Sequence, residues 1–470
     1  MMNGSNSAAP VEGRFHFIGI GGAGMSVVAE LLASRGARVS GSDRCASAVL
    51  DRLGGLGIEV HAGHDAVHVP LDATVVVSTA IRESNPELAV ARRRGQRVIH
   101  RSQALALAAS GMRFIGVAGA HGKTTTSGML AVALREAGED PSVAVGGIVP
   151  QFGSGAHLGS GDVFVAEADE SDGSFLNYAP SIEVVTNVEP DHLDRYGSAR
   201  AFEEIFVEFS RRLVPGGLLV CCAEDPGAAR LAEAAGGEGT RVLTYGRPRE
   251  CGRVPDVAIT DVASSPEGVS ATLTGAGGAV RLELAVPGVH NILNATAAWI
   301  AGVECGVGAE TMARCLAAFG GTSRRFELRG SVGARRVFDD YAHHPTEVAA
   351  AIAQARVVAG QGEVVVVFQP HLFSRTRIFA ADFARALAAA DHVVLTDIYA
   401  AREDPEPGVT AALISDAIEG ARFIPDMREA ARLAARMCSE GGLVVTMGAG
   451  SITECAPDVL DEWRTQAGHE

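Results

Sequence analysis

The chain has 470 residues, 47% hydrophobic and 20% charged, the mix of a soluble globular protein with roughly two to four domains. A net charge of −16 excludes nucleic acid as a default partner, because a phosphate backbone calls for a basic face, but it leaves a small phosphorylated substrate open. The opening MMNGSNSAAPVEG lacks the charged-then-apolar pattern of a secretory signal and reads as a short disordered tail. No stretch reaches the roughly 18 apolar residues of a membrane span. The nearest, 287–306, is broken by His290, Asn291 and Asn294. Eight cysteines without CxxC spacing, two of them adjacent (Cys221 and Cys222), predict reduced thiols in a cytoplasmic protein.

Short β-branched runs alternate with Ala/Leu-rich helical stretches nearly throughout, which predicts an α/β fold with mostly parallel sheets. Three domains are expected. Residues 1–110 open on FHFIGI and run through VVVSTA and RVIH. Residues 111–322 begin with RFIGVAG and include an alternating stretch (VAITDV, VSATLT, VRLELAV) that predicts antiparallel strands. Residues 323–470 carry RRVFDD, EVVVVFQP, HVVLTD and LVVTMG, each separated by an amphipathic helix.

The segment HFIGIGGAGM places Gly19, Gly21 and Gly24 in GxGxxG order between a strand and a helix, with Asp43 about 20 residues on. Such glycines let a backbone approach a diphosphate at a helix N-terminus, and the acid would address a ribose hydroxyl. A plain tight turn is the competing reading. The motif does not separate a dinucleotide from a UDP-sugar, so an NAD-dependent dehydrogenase is a rival at this point.

Residues 119–126 read GAHGKTTT, after RFIGVA and before a helical run. Backbone N–H groups of such a loop wrap phosphates, Lys123 would reach the β/γ oxygens, and Thr124 would coordinate magnesium. The spacing, GxxGKT, is shorter than GxxxxGK[ST]. Of 40 lysines and arginines only Lys123 is a lysine. A composition so biased keeps a compact ammonium where the wide guanidinium fork cannot serve. A dehydrogenase has no use for such a loop. The acidic segments AEADESDGSF (166–175) and TNVEPDHLDRYG (186–197) each follow a strand, where ligands of open α/β sheets bind, and their oxygens suit magnesium. A solvated acidic loop is the plainer alternative.

With these motifs in order, joined by PGVHNILNA (287–295), SRRFE (323–327), DDYAHHPTE (339–347) and QPHLFSRTR (369–377), the chain resembles the Mur ligase family from about Arg14 to about Glu454. The resemblance implies a Rossmann-like UDP-binding domain, a central P-loop ATPase domain and a C-terminal Rossmann-like domain. It implies ATP-dependent addition of L-alanine to the lactyl carboxylate of UDP-N-acetylmuramate, through an acyl phosphate, in cytoplasmic cell-wall precursor synthesis. Sister ligases adding another amino acid or a peptide, and a non-catalytic nucleotide-binding module, are the alternatives.

Residue by residue, the resemblance implies that Gly119, Ala120, His121, Gly122, Lys123, Thr124 and Thr125 hold the ATP phosphates. Thr124, Glu167 and His192 would hold magnesium. His290, Asn291 and Asn294 would line the ATP site, Arg325 would reach a phosphate, and Asp340 would contact the ribose. Tyr341, His343, His344, His371, Arg375 and Arg377 would receive the amino acid. Gly19, Gly21, Gly22, Ala23, Gly24, Asp43, His64 and Ser78 would bind the UDP end. Lys123, Glu167, His192, Arg325 and His343 are the expected catalytic groups, with His343 as base for the amine and a structural role for the His343–His344 pair as helix cap in competition. Leu372 departs from the family pattern, which often has a basic residue there. No lysine follows Lys123, so the carbamylated lysine of some sister ligases is impossible.

Overall fold

The computed structural model describes residues 9–191, 193–275, 278–401 and 403–467. The chain divides into two compact units. The first comprises residues 1–260, 272–282 and 293–319; the second comprises 261–271, 283–292 and 320–470.

The first unit begins with a five-stranded sheet built from β1 (Arg14–Ile18), β2 (Arg38–Asp43), β3 (Glu59–Ala62), β4 (Thr74–Val77) and β5 (Val98–His100). Their order is β3-β2-β1-β4-β5, all parallel. The order reverses between β1 and β4, so the glycine-rich turn after β1 opens at the crevice where open α/β sheets bind ligands. Helix starts follow local chemistry. Asn85 accepts N–H bonds from Glu87 and Leu88, and Pro86 occupies the first position of Pro86–Arg93, where its missing N–H costs nothing.

The strands β6 (Arg113–Ala118), β7 (Ser142–Val149), β8 (Ser154–His157), β9 (Val163–Glu167), β10 (Ile182–Val185), β11 (Leu218–Cys222), β12 (Arg241–Gly246), β13 (Val257–Ser265), β14 (Gly268–Gly275) and β15 (Gly278–Leu284) form one sheet. The order is β15-β14-β13-β12-β11-β10-β6-β9-β7-β8. β6 lies parallel between β9 and β10, which brings the loops after all three to one edge. A cluster rich in phenylalanine, with Phe164, Phe175, Phe202, Phe206 and Phe209 fully buried, also takes in Phe17, Met25 and Leu31 beside the first sheet.

The second unit holds β16 (Glu327–Val332), β17 (Arg335–Asp340), β18 (Val364–Phe368), β19 (His392–Leu395), β20 (Arg422–Phe423) and β21 (Leu443–Met447), in the order β16-β17-β21-β18-β19-β20. Only the β16–β17 hairpin is antiparallel. Parallel strands covered on both faces read as continuous apolar runs. VVVVF of β18 is one: Val364, Val366 and Phe368 enter one core and Val365 and Val367 the other. Among the described residues no helix is long and apolar enough to cross a membrane.

Candidate active site

The loop from Gly119 to Gly122 joins β6 to the helix Lys123–Glu136. Gly119 has φ +129°, and a Cβ there would stand 2.3 Å from the Thr186 hydroxyl, so only glycine fits. Thr186 and Asn187, just after β10, clamp the loop. Asn187 Oδ1 accepts from the His121 N–H at 2.9 Å, and Asn187 Nδ2 and the Thr186 hydroxyl both donate to the His121 carbonyl. Ala120 and Thr125 are half-buried within this turn, and Asn294 lies over Gly122. Gly119→Ala is therefore expected to weaken binding of an ATP analogue roughly five- to a hundredfold, from about 1–3 kcal/mol of backbone strain. Titration calorimetry beside a thermal melt checks this, and unchanged affinity would mean the loop tolerates a side chain.

Lys123 Nζ donates to the carbonyls of Gly119 (2.6 Å) and Ala120 (3.2 Å) and pairs with Glu170 at 2.9 Å. Burial opposes its charge, but Glu170, Glu167 and Asp169 outweigh burial and hold the ammonium well above its ordinary range. Burial pushes Glu170 the other way, up to about 7, against the pull of Lys123. The Thr124 hydroxyl donates to Glu167 at 3.1 Å, and Glu167 also accepts the Gly146 N–H at 2.8 Å. Two oxygen donors this close, facing the loop, fit a small hard cation. His192 lies outside the described residues. Nearby, His121 pairs with Glu189 at 3.2 Å.

At the first sheet, Gly19 and Ile20 donate to the Ser42 carbonyl, and the Gly21 N–H donates to Asp43 Oδ2 at 2.8 Å. Asp43 Oδ1 accepts from the Arg44 N–H. Asp43 thus holds the glycine loop through its backbone. Gly22 precedes the helix Ala23–Ser34, which carries Ala23 and Gly24 in its first turn. His64 Nδ1 is 2.8 Å from the Ser42 hydroxyl, and Ser78 follows β4, half-buried. Beneath them lies Glu87, wholly buried, which accepts from Ser42 (2.5 Å) and the Asp65 N–H and sits 3.3–3.5 Å from His16, His64 and His68. Burial alone would raise its pKa, but His16 and Ser42 hold it lowered. Glu87 was not foreseen. Its sequence signal is weak, an acid at the second position of a helix, where acids are common for capping reasons alone.

In the second unit Tyr341, His343, His371 and Arg375 come together. The His343 ring meets the Tyr341 ring edge-on at 5.3 Å and the His371 ring at 5.8 Å, and Arg375 Nη1 is 3.3 Å from His371 Nδ1. Arg324 and Arg325 stack over Tyr341. His343 Nδ1 lies 3.0 Å from the Tyr341 carbonyl, which can only accept, so that nitrogen carries the proton and Nε2 is an acceptor. Burial first, then Arg375 and His371, push His343 down to about 3 against the opposing Glu347. His344 is the N-cap residue of the helix Pro345–Ala359 without a side-chain cap bond, and Glu347 accepts the His343 N–H at 3.0 Å. His344 packs edge-on against Phe379.

Arg325 also pairs with Glu347, and His290 is pushed down to about 4 by burial and by Arg325. Asn291 donates to the Pro287 carbonyl. Asp340 accepts from the N–H groups of Phe326 and Ala342, and burial raises it to about 6. Arg377 stays apart, paired with Glu406 at 3.0 Å and more than half exposed. Leu372 is buried with φ +70° at the start of Phe373–Leu387.

A single lysine in a glycine loop, with Thr124 and Glu167 beside it on a parallel sheet, defines a phosphate-loop, nucleotide-binding α/β protein. Comparison with known proteins narrows the class. Residues 14–113 match the Mur ligase family catalytic domain, 117–302 the Mur ligase middle domain, and 324–450 the Mur ligase glutamate ligase domain. The UDP-N-acetylmuramate–L-alanine ligase of Kineococcus radiotolerans is 55% identical over 96% of both chains, and that of Renibacterium salmoninarum 53% over 97% of both. Among solved structures, the UDP-N-acetylmuramate–alanine ligase of Thermotoga maritima superposes with a TM-score of 0.79 at 28% identity, covering 97% of this chain and 100% of that one. The chain belongs to the Mur ligase family.

Proposed function

We propose that the protein is a cytoplasmic, ATP-dependent ligase joining L-alanine to the lactyl carboxylate of UDP-N-acetylmuramate. The reading rests on end-to-end similarity to ligases of that name together with a phosphate loop whose one lysine is poised for nucleotide. We assign residues 1–110 to the UDP-sugar, 111–322 to ATP and 323–470 to the amino acid.

A lactyl carboxylate oxygen attacks the γ-phosphorus of ATP, ADP leaves, and an acyl phosphate forms. The loop N–H groups and Lys123 offset the crowded negative charge of that transfer. Thr124 and Glu167 would hold magnesium, which supplies further charge neutralisation on the phosphates. The alanine nitrogen then attacks the acyl carbon, and inorganic phosphate departs with the C–O bond. A free α-ammonium has a pKa near 8. With His343 near 3, its Nε2 orients the amine by accepting a hydrogen bond, and it takes up a proton only once further negative charge enters its surroundings. Arg375 and His371 offer donors to the amino-acid carboxylate.

Phosphate release is the test, with ATP, magnesium and UDP-N-acetylmuramate, and L-alanine, glycine, D-glutamate or L-lysine added in parallel while product mass is followed. Release with a gain of one alanyl residue is expected for L-alanine. Turnover with a different amino acid would place the protein at another step of the same pathway, and ATP binding without turnover would make it a non-catalytic module.

A further inference from the structure

We infer that Arg101 is a substrate-binding residue for the UDP-sugar, receiving an anionic group of that ligand. The inference rests on the function proposed above. Arg101 follows His100 at the end of β5 and opens the helix Arg101–Ala108. One end of its guanidinium, Nη2, pairs with Asp169 of the acidic loop after β9. The other end, Nη1, is laid against Gly24, where a Cβ would stand 2.6 Å away. A side chain at position 24 would have to push the guanidinium tip aside, so the glycine leaves room for it there.

The guanidinium therefore lies over the first turn of the helix that follows the glycine loop, at the ligand-binding edge of the first sheet. It is largely enclosed. Burial opposes its charge, and Asp169 and Asp172 restore it. The fork is rigidly mounted. Asp172 is 3.4 Å from His100 and accepts from Thr79, and Asn177 donates to Ser102 at 2.8 Å, so the residues on either side of Arg101 are tied to the acidic loop. A planar cation with one edge spent on Asp169 and its other edge turned to the glycine loop suits an oxyanion, for which arginine offers paired donors. The UDP-sugar carries two such groups, its diphosphate and its lactyl carboxylate. Asp169 also acts electrostatically on Lys123, so an anion drawing on Arg101 alters the charge surroundings of the phosphate loop.

Titration calorimetry with UDP-N-acetylmuramate and with UDP-N-acetylglucosamine, which lacks the carboxylate, tests this on wild-type, Arg101→Met and Arg101→Lys proteins. Arg101→Met is expected to weaken UDP-N-acetylmuramate at least about tenfold, the usual loss for a charge-assisted hydrogen bond. Its KM for that substrate should rise, with ATP-analogue affinity little changed. Equal weakening of both sugars assigns the diphosphate; weakening of the muramate alone assigns the carboxylate. Arg101→Lys, which keeps the charge and loses the fork, should fall between, and it serves if Arg101→Met lowers the melting temperature. Wild-type affinity in either folded variant overturns the inference, as does a fall in kcat with unchanged KM, which marks a purely structural bridge. Wild-type protein that binds no UDP-N-acetylmuramate would remove the proposed function instead.

Discussion

Lys123→Arg is expected to lower kcat at least about a hundredfold while leaving the protein folded. The scale is that of losing one donor aimed at transition-state charge. The ammonium fits among the Gly119 and Ala120 carbonyls and Glu170 at 2.6–3.2 Å. A guanidinium carries the same charge but is broader and planar, and it cannot occupy that point without displacing the loop that Thr186 and Asn187 clamp. Because charge is conserved, Glu170 keeps a cationic neighbour, and the severe cost of orphaning a buried carboxylate is avoided. Phosphate release at saturating substrates, beside a thermal melt, separates chemistry from folding. Turnover near the wild-type rate would make the solitary lysine an accident of an arginine-rich composition.

Glu167→Gln should raise the magnesium concentration needed for half-maximal activity at least about tenfold and leave UDP-N-acetylmuramate affinity unchanged. The carboxylate accepts from Thr124 and from Gly146, and a carboxamide oxygen can keep one of these bonds, so the loop stays in place while a negative ligand is lost. Magnesium takes hard, charged oxygens, and a neutral amide oxygen holds it less strongly. A magnesium titration of initial rates reads the shift directly. An unaltered magnesium profile would move the metal elsewhere, and a collapse of UDP-sugar affinity would mean that Glu167 shapes the substrate surface.

The parts of this molecule legible in its sequence are those where one local pattern suffices. The apolar runs of β6, β10 and β18 announce buried parallel strands, and GAHGKTTT announces its loop because glycine, lysine and threonine have few other reasons to stand in that order. β7 and β8 were not foreseen. They are glycine-bearing strands at the end of their sheet, without the alternation that marks a half-buried strand. The candidate site divides the same way. Lys123, Thr124 and Glu167 are found by motif, whereas Glu87, Arg101 and Glu170 act through partners distant along the chain. The bond from the Gly21 N–H to Asp43, which ties the acid to the glycine loop, likewise spans two strands and has no sequence signal of its own. Arg377, which the resemblance places with Arg375, pairs with Glu406, a partner that its motif does not announce.

The pairing of Lys123 with Glu170 bears on the surface chemistry of the whole protein. Every other basic side chain apart from the histidines is an arginine, and guanidinium groups do not react with acylating reagents under mild conditions. The one primary amine among the side chains is only 13% exposed, salt-bridged, and held protonated far above neutral pH. Amine-directed cross-linkers and activated-ester dyes thus find no ready side-chain target on this protein, and any lysine labelling that does occur reports on the phosphate loop alone.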